Sequence, residues 1–73
     1  MRLIYSFRSR NQSMRFYDAL KREGVAAKLI GTPRSVSVGC GLSVQFSASA
    51  EGLAESLLSR GGYDTFLGAF RDC

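Results

Sequence analysis

The chain has 73 residues, with ten basic and six acidic side chains, a net charge of +4, two cysteines and no histidine. A chain this short buries only about 60% of the surface that its unfolded form exposes, which predicts one domain of modest stability over residues 1–73. The absence of histidine excludes His-based Ser or Cys triads and removes the usual ligands of zinc and haem. Two cysteines are too few for a disulfide framework. We therefore expect no metal and no cofactor.

The apolar residues are spread evenly along the chain, and no apolar run approaches the roughly 20 residues that span a bilayer. The first residues also lack the longer apolar core of a signal peptide. These patterns predict a soluble, cytoplasmic protein with no membrane partner. The basic residues are scattered, so the charge permits anionic partners without requiring nucleic acid.

The first two predicted elements are a strand and a helix. The segment RLIYSF, residues 2–7, is rich in aromatic and β-branched residues with apolar side chains at alternate positions, which is typical of a strand. Ser9 and Gln12 then have the spacing of a capping box, in which each side chain satisfies a free backbone donor. A helix over residues 10–23 is predicted to follow, and Gly24 is predicted to end it.

The next elements are two strands separated by a loop. The segment VAAKLIG, residues 25–31, predicts a second strand, and Pro33 prevents further ladder donation. From Gly41 the sequence alternates strictly, with Leu42 first on the apolar face, and this predicts a third strand.

The last elements are a helix and a strand. We expect Ser49 to cap the second helix, Glu51 to lie in its first turn, and Gly61 with Gly62 to end it. The segment YDTFLGAF, residues 63–70, predicts the fourth strand. The order βαββαβ predicts an α+β, ferredoxin-like two-layer sandwich in which a four-stranded antiparallel sheet carries both helices on one face.

In this topology the first two strands are parallel and the third lies between them. The loop of residues 32–41 is therefore predicted to lie at the sheet edge where the first helix begins. Cys40 stands in this loop between Gly39 and Gly41. Helix amides, with Arg10 and Arg34, would stabilise its thiolate there, and the glycines would leave room for another thiol. On spacing alone, however, a cysteine before an apolar strand is more often a small buried side chain.

Four segments resemble a known family. They are YSFRS in the first strand, ALKREGV in the first helix, KLIGTPR at the end of the second strand, and CGLSVQF at the third. Over almost its whole length the chain resembles the selenium/sulfur carrier protein-like family. By position, Thr32, Pro33 and Arg34 match the family's Thr-Pro-Arg element, and Cys40 with Gly41 matches its Cys-Gly pair.

The resemblance implies that Cys40 accepts a sulfur or selenium atom as a persulfide or selenopersulfide and passes it to an acceptor thiol. Arg34 and Arg10 would hold the anionic forms, and the residues of the two family elements, with Gly39, complete the candidate binding set. The partners would be a donor protein and an acceptor protein. No cofactor is needed, and a stoichiometric carrier is expected more than an enzyme with turnover of its own.

Two other functions remain open from the residues. A small regulatory or assembly domain could pair with a second copy through its open sheet face, without thiol chemistry. An RNA-recognition module shares the βαββαβ order, but it stacks bases on aromatic side chains displayed by its central strands. The polar face of the predicted third strand carries Ser43, Gln45 and Ser47, while Phe46 lies on the apolar face. RNA binding is therefore the weaker alternative.

Overall fold

The structure is a computed structural model that describes residues 1–31 and 41–72. Its elements in chain order are β1 (Arg2–Phe7), α1 (Arg10–Arg22), β2 (Ala27–Gly31), β3 (Leu42–Ser47), a short 3₁₀ helix (Ala48–Ala50), α2 (Glu51–Arg60) and β4 (Phe66–Asp72). Over these described ranges the order is β-α-β-β-α-β, as the sequence predicts.

The strands form one sheet in the order β2-β3-β1-β4. β3 runs antiparallel to both β1 and β2, and β4 runs antiparallel to β1. β1 and β2 are consequently parallel to each other, with β3 between them. This arrangement confirms the α+β, ferredoxin-like fold.

The core lies between the sheet and the helices, and β1 supplies its centre. Alternate β1 residues Leu3, Tyr5 and Phe7 are at most 3% exposed. The ring of Tyr5 lies 5.4 Å from that of Phe16 in α1 and 5.0 Å from that of Phe46 in β3, measured between centroids. Such offset and edge contacts add to the stabilisation that comes from burying the rings. The period-two pattern of β1 therefore has its physical cause in this aromatic core.

The opposite face of the sheet is also well covered near its centre. Ser6 and Ser43 are fully buried on neighbouring strands, and their Oγ atoms lie 2.8 Å apart in a hydrogen bond. On β4, the Phe70 ring lies over Gly68, where a Cβ atom would be only 3.1 Å from the ring. A side chain at position 68 would displace that ring. Ser43 thus lies on the polar face of β3, as the sequence pattern predicts, but it is fully buried there.

Several element boundaries differ from the predicted ones. β2 begins at Ala27, two residues later than predicted. The Val25 N–H is used by the turn that follows α1, where it donates to the Leu20 carbonyl at 3.0 Å. Gly24 has a φ of 82°, as its predicted role as helix terminator requires. The predicted end of α1 was one residue too late.

The second helix is capped differently from the prediction. The Ser47 side chain, not that of Ser49, accepts a backbone hydrogen bond, and the donor is the Ser49 N–H at 3.3 Å. A 3₁₀ turn therefore precedes α2, whose own N-cap, Ala50, makes no side-chain cap. β4 starts at Phe66, not at Tyr63, because Tyr63 packs its ring 5.4 Å from those of Phe7 and Phe16.

The buried Tyr5 hydroxyl donates a hydrogen bond to the Glu55 carboxylate of α2. Burial first, and then this hydrogen bond and the nearby negative charge, raise the pKa of Tyr5 above its ordinary value of 10.0. The phenol therefore stays protonated in the folded protein at a pH where it ionises in the unfolded chain.

The Tyr5→Phe variant should lower the free energy of unfolding by about 1 kcal/mol at neutral pH, because Glu55 loses its donor while the ring packing remains. Urea denaturation at pH 7 measures this change. Above pH 10 the unfolded wild-type chain releases the Tyr5 proton more readily than the folded protein, so wild-type stability should fall as the pH rises. The Tyr5→Phe variant should fall less steeply. Equal slopes in both proteins between pH 9 and pH 11 would contradict the raised pKa.

The buried Ser13 of α1 donates from Oγ to the Leu42 carbonyl oxygen of β3 at 2.6 Å. The Ser13→Ala variant should lower the free energy of unfolding by about 1–2 kcal/mol, because the Leu42 carbonyl oxygen loses this donor. The matched control is Ser59→Ala in α2, whose exposed hydroxyl donates to the Glu55 carbonyl within the same helix. We expect that variant to change stability by less than about 0.5 kcal/mol in the same thermal denaturation. Comparable losses in both variants would show that the link between helix and strand is unimportant.

Candidate functional site

The predicted site residues divide into two groups. Arg10, the first residue of α1, and Gly41, just before β3, are described by the structure. Thr32, Pro33, Arg34, Gly39 and Cys40 lie outside the described residues. The geometry of the site is therefore built from the elements that lead into the segment 32–40 and out of it.

The two ends of this segment lie on the same row of the sheet. Gly31 at the end of β2 pairs with Leu42 at the start of β3, and Leu42 pairs with Phe7 at the end of β1. Phe7 also pairs with Phe66 at the start of β4. α1 starts three residues after Phe7. The chain therefore leaves β2 and enters β3 at the sheet edge from which α1 begins.

A direct contact joins this edge to the helix. The Ser13 hydroxyl, one turn into α1, donates to the Leu42 carbonyl oxygen at 2.6 Å and lies 3.3 Å from the Ser9 carbonyl oxygen. Ser13 is fully buried. The first turn of α1 is thus held against the first residue of β3, and Gly41 is the residue that precedes this contact.

Ser9 caps α1 as the sequence predicts, since its side chain accepts from the Gln12 N–H at 3.3 Å. The reciprocal half of the capping box is absent among the described contacts of Ser9. Its N–H donates instead to Thr65 Oγ1 at 3.2 Å, and the Gln12 side chain accepts from Thr65 Oγ1 at 2.7 Å and donates to Asp64 Oδ1 at 2.6 Å. The turn before β4 therefore orients the start of α1.

Sequence reasoning missed this role of Asp64 and Thr65. They are separated from Gln12 by 52 and 53 residues, so no local spacing could indicate the contact. The position of β4 next to β1 brings that turn beside the helix start. The sequence correctly indicated that Gln12 lies at the start of α1, but the predicted partner of its side chain, the Ser9 N–H, was wrong.

The edge carries an excess of positive charge. Arg8 and Arg10 are both exposed, and the first turn of α1 contains no acidic residue. Helices usually place acidic side chains in this turn, where they interact favourably with the partial positive charge of the free amides. Arg10 instead adds a cation to it. The Asp64 carboxylate offsets part of this charge on the side of β4.

The described residues contain no group of three or more His, Cys, Asp and Glu side chains that could hold a metal ion. In the same part of the chain no helix is long and apolar enough to cross a membrane. The aromatic residues of the central strands, Tyr5, Phe7 and Phe46, are at most 2% exposed because they form the core. Their rings are accordingly inaccessible to stacking bases.

Comparison with known proteins gives one match. Residues 2–65 match the model of the family described as "Putative Se/S carrier protein-like". No curated protein and no solved structure matches the chain. The matched range includes both ends of the segment 32–40 and the helix that faces them. Because the match covers most of the chain, this protein belongs to the Se/S carrier protein-like family.

Proposed function

We propose that this protein carries sulfur or selenium on Cys40, as a persulfide or selenopersulfide that is passed to an acceptor thiol. The observation that supports the proposal most is the position of Gly41 and Leu42, the residues that follow Cys40 in the chain. Leu42 is hydrogen-bonded to Ser13 in the first turn of α1. The family to which the chain belongs adds the nature of the cargo.

The chemistry needs a thiolate, because the thiolate is the nucleophile in sulfur exchange. The Cys40 thiolate would attack the terminal sulfur of a donor persulfide. The donor's S–S bond breaks, the donor cysteine leaves as a thiolate, and a persulfide forms on Cys40. The transferred sulfur keeps its oxidation state, so the step requires no oxidant. Attack by an acceptor thiolate on the same terminal atom completes the transfer.

The positive charges at the sheet edge where α1 begins, which we call the α1 edge, would favour this thiolate. A helix N-terminus stabilises an anion by about 0.3–1 kcal/mol, and an exposed arginine such as Arg10 adds up to about 1 kcal/mol. Together these effects would lower the pKa of Cys40 below the ordinary value of a thiol and raise its thiolate fraction at neutral pH. We propose Arg34, from the same loop as Cys40, as a second cation near the thiolate.

The proposal assigns the partners by chemistry. The donor is a protein that bears a persulfide or selenopersulfide, and the acceptor is a protein thiol. Small side chains around the sulfur are needed for two proteins to approach it in turn, and Gly39 and Gly41 would provide this access. A carrier of this kind acts once per loaded atom and needs no cofactor.

RNA binding is less well supported than thiol chemistry. The aromatic side chains of β1 and β3 pack against the helices, and the opposite face of these strands bears the buried pair Ser6 and Ser43. Base stacking requires exposed rings on those strands. Pairing of two copies through the open sheet face stays a prediction of the sequence, and it would apply if Cys40 proved inert.

The experiment that tests the proposal is the loading of the protein by a cysteine desulfurase supplied with cysteine. Intact-mass spectrometry should show the gain of one sulfur atom, and mild reduction should remove it. The Cys40→Ser variant should gain none, because the accepting thiol is missing. Cys73→Ser is the matched control, since it removes the chain's other thiol, and it should load like the wild type. Loading that persists in Cys40→Ser and disappears in Cys73→Ser would overturn the proposal.

A further inference from the structure

A groove of about 520 Å³ opens at the sheet edge opposite to the start of α1. It lies where β1 and β2 begin and β3 ends. We call it the basic groove and define it by its lining residues: Met1, Arg2, Ala26, Ala27, Lys28, Gln45, Phe46 and Ser47. Its volume is within the range of about 300–1,000 Å³ that is usual for small-molecule sites.

The strand register places the polar residues of the groove on one face. Lys28 pairs with Gln45, and Arg2 pairs with Ser47, two residues further along β3. Since successive side chains of a strand alternate between faces, Gln45 and Ser47 share a face. With strands about 4.8 Å apart and a rise of about 3.4 Å per residue, the Cα atoms of Arg2 and Lys28 are about 12 Å apart. Two long cationic side chains therefore flank a polar floor.

The charged side chains that line the groove are all positive. Arg2 and Lys28 are both exposed, and its lining residues include no acidic side chain. Asp72 pairs with Arg2 from β4, on the side of β1 away from the groove. Lys28 lies two strands further from β4 than Arg2 does. Both cations are exposed at the groove, where a ligand could be seated between them.

We propose that the basic groove binds a small molecule that carries two or more negative charges, supplied by phosphate or carboxylate groups. The Cα atoms of Arg2 and Lys28 are about 12 Å apart, which suits a ligand with two separate anionic groups. The Arg2 guanidinium can then contact one anionic group and the Lys28 ammonium the other. A monoanion would engage only one cation at a time.

This site is independent of the proposed carrier function. The groove lies at the Ser47 end of β3, whereas the carrier proposal concerns the Leu42 end. Five residues of strand separate the two ends by roughly 17 Å. A ligand in the basic groove therefore does not contact the α1 edge, and failure of either proposal leaves the other intact.

The test is a titration of ¹⁵N-labelled protein at low ionic strength with inorganic pyrophosphate and, separately, with citrate. The backbone amide chemical shifts of Ala26, Lys28, Gln45 and Ser47 should change and reach a plateau as the anion concentration rises. A response to pyrophosphate alone would assign the site to phosphate groups, and a response to both would assign it to anions of either kind. Added salt should weaken binding, because the contacts are exposed charges.

Arg2→Ala and Lys28→Ala should each weaken binding about fivefold, the effect of losing one favourable exposed ion pair. The control is Arg60→Ala, which removes the same charge from the last turn of α2, away from the groove. It should leave the affinity within about twofold, with circular dichroism checking the fold of each variant. Equal weakening by all three variants, shifts centred on the start of α1, or no saturation with either anion would overturn the proposal.

Discussion

The hydrogen bond from the Ser13 hydroxyl to the Leu42 carbonyl oxygen is the contact on which the arrangement of the candidate site depends. It joins the first turn of α1 to the first residue of β3, two elements that are adjacent neither in sequence nor in sheet pairing. Because Ser13 is fully buried, solvent cannot replace the contact. A buried hydroxyl without its partner would cost about 1–3 kcal/mol, so the helix start and the strand start remain together.

This constraint gives the proposed chemistry its electrostatic surroundings. The thiol precedes the tethered strand by two residues, while α1 contributes free amides and Arg10 contributes a full charge. Neither effect alone is large, since each is worth about 1 kcal/mol or less at an exposed position. A chain without histidine lacks the residue that most often activates a cysteine as general base. The proposed function therefore relies on the weak positive charges at the start of α1 to lower the pKa of the thiol.

Much of the fold could be predicted from the sequence because its signals are local. Alternating apolar residues predicted β1 and β3, and the serine cap and Gly24 predicted the limits of α1 to within one residue. The contacts of Gln12 with Thr65 and Asp64 could not be predicted, because they depend on packing between distant segments. The burial of Ser43 likewise depends on its partner Ser6 across the sheet. The site residues from Thr32 to Cys40 stay predictions.

The pH dependence of Cys40 alkylation in the Cys73→Ser background tests whether the start of α1 lowers the pKa of the Cys40 thiol. An ordinary thiol reaches half of its maximal rate near pH 8.5, and we expect a lower midpoint for Cys40. Arg10→Ala should raise that midpoint towards the ordinary value, while Arg60→Ala should not move it. A midpoint at or above 8.5 would contradict a lowered pKa of Cys40. Alkylation only after denaturation would make Cys40 a core residue and contradict the proposed function.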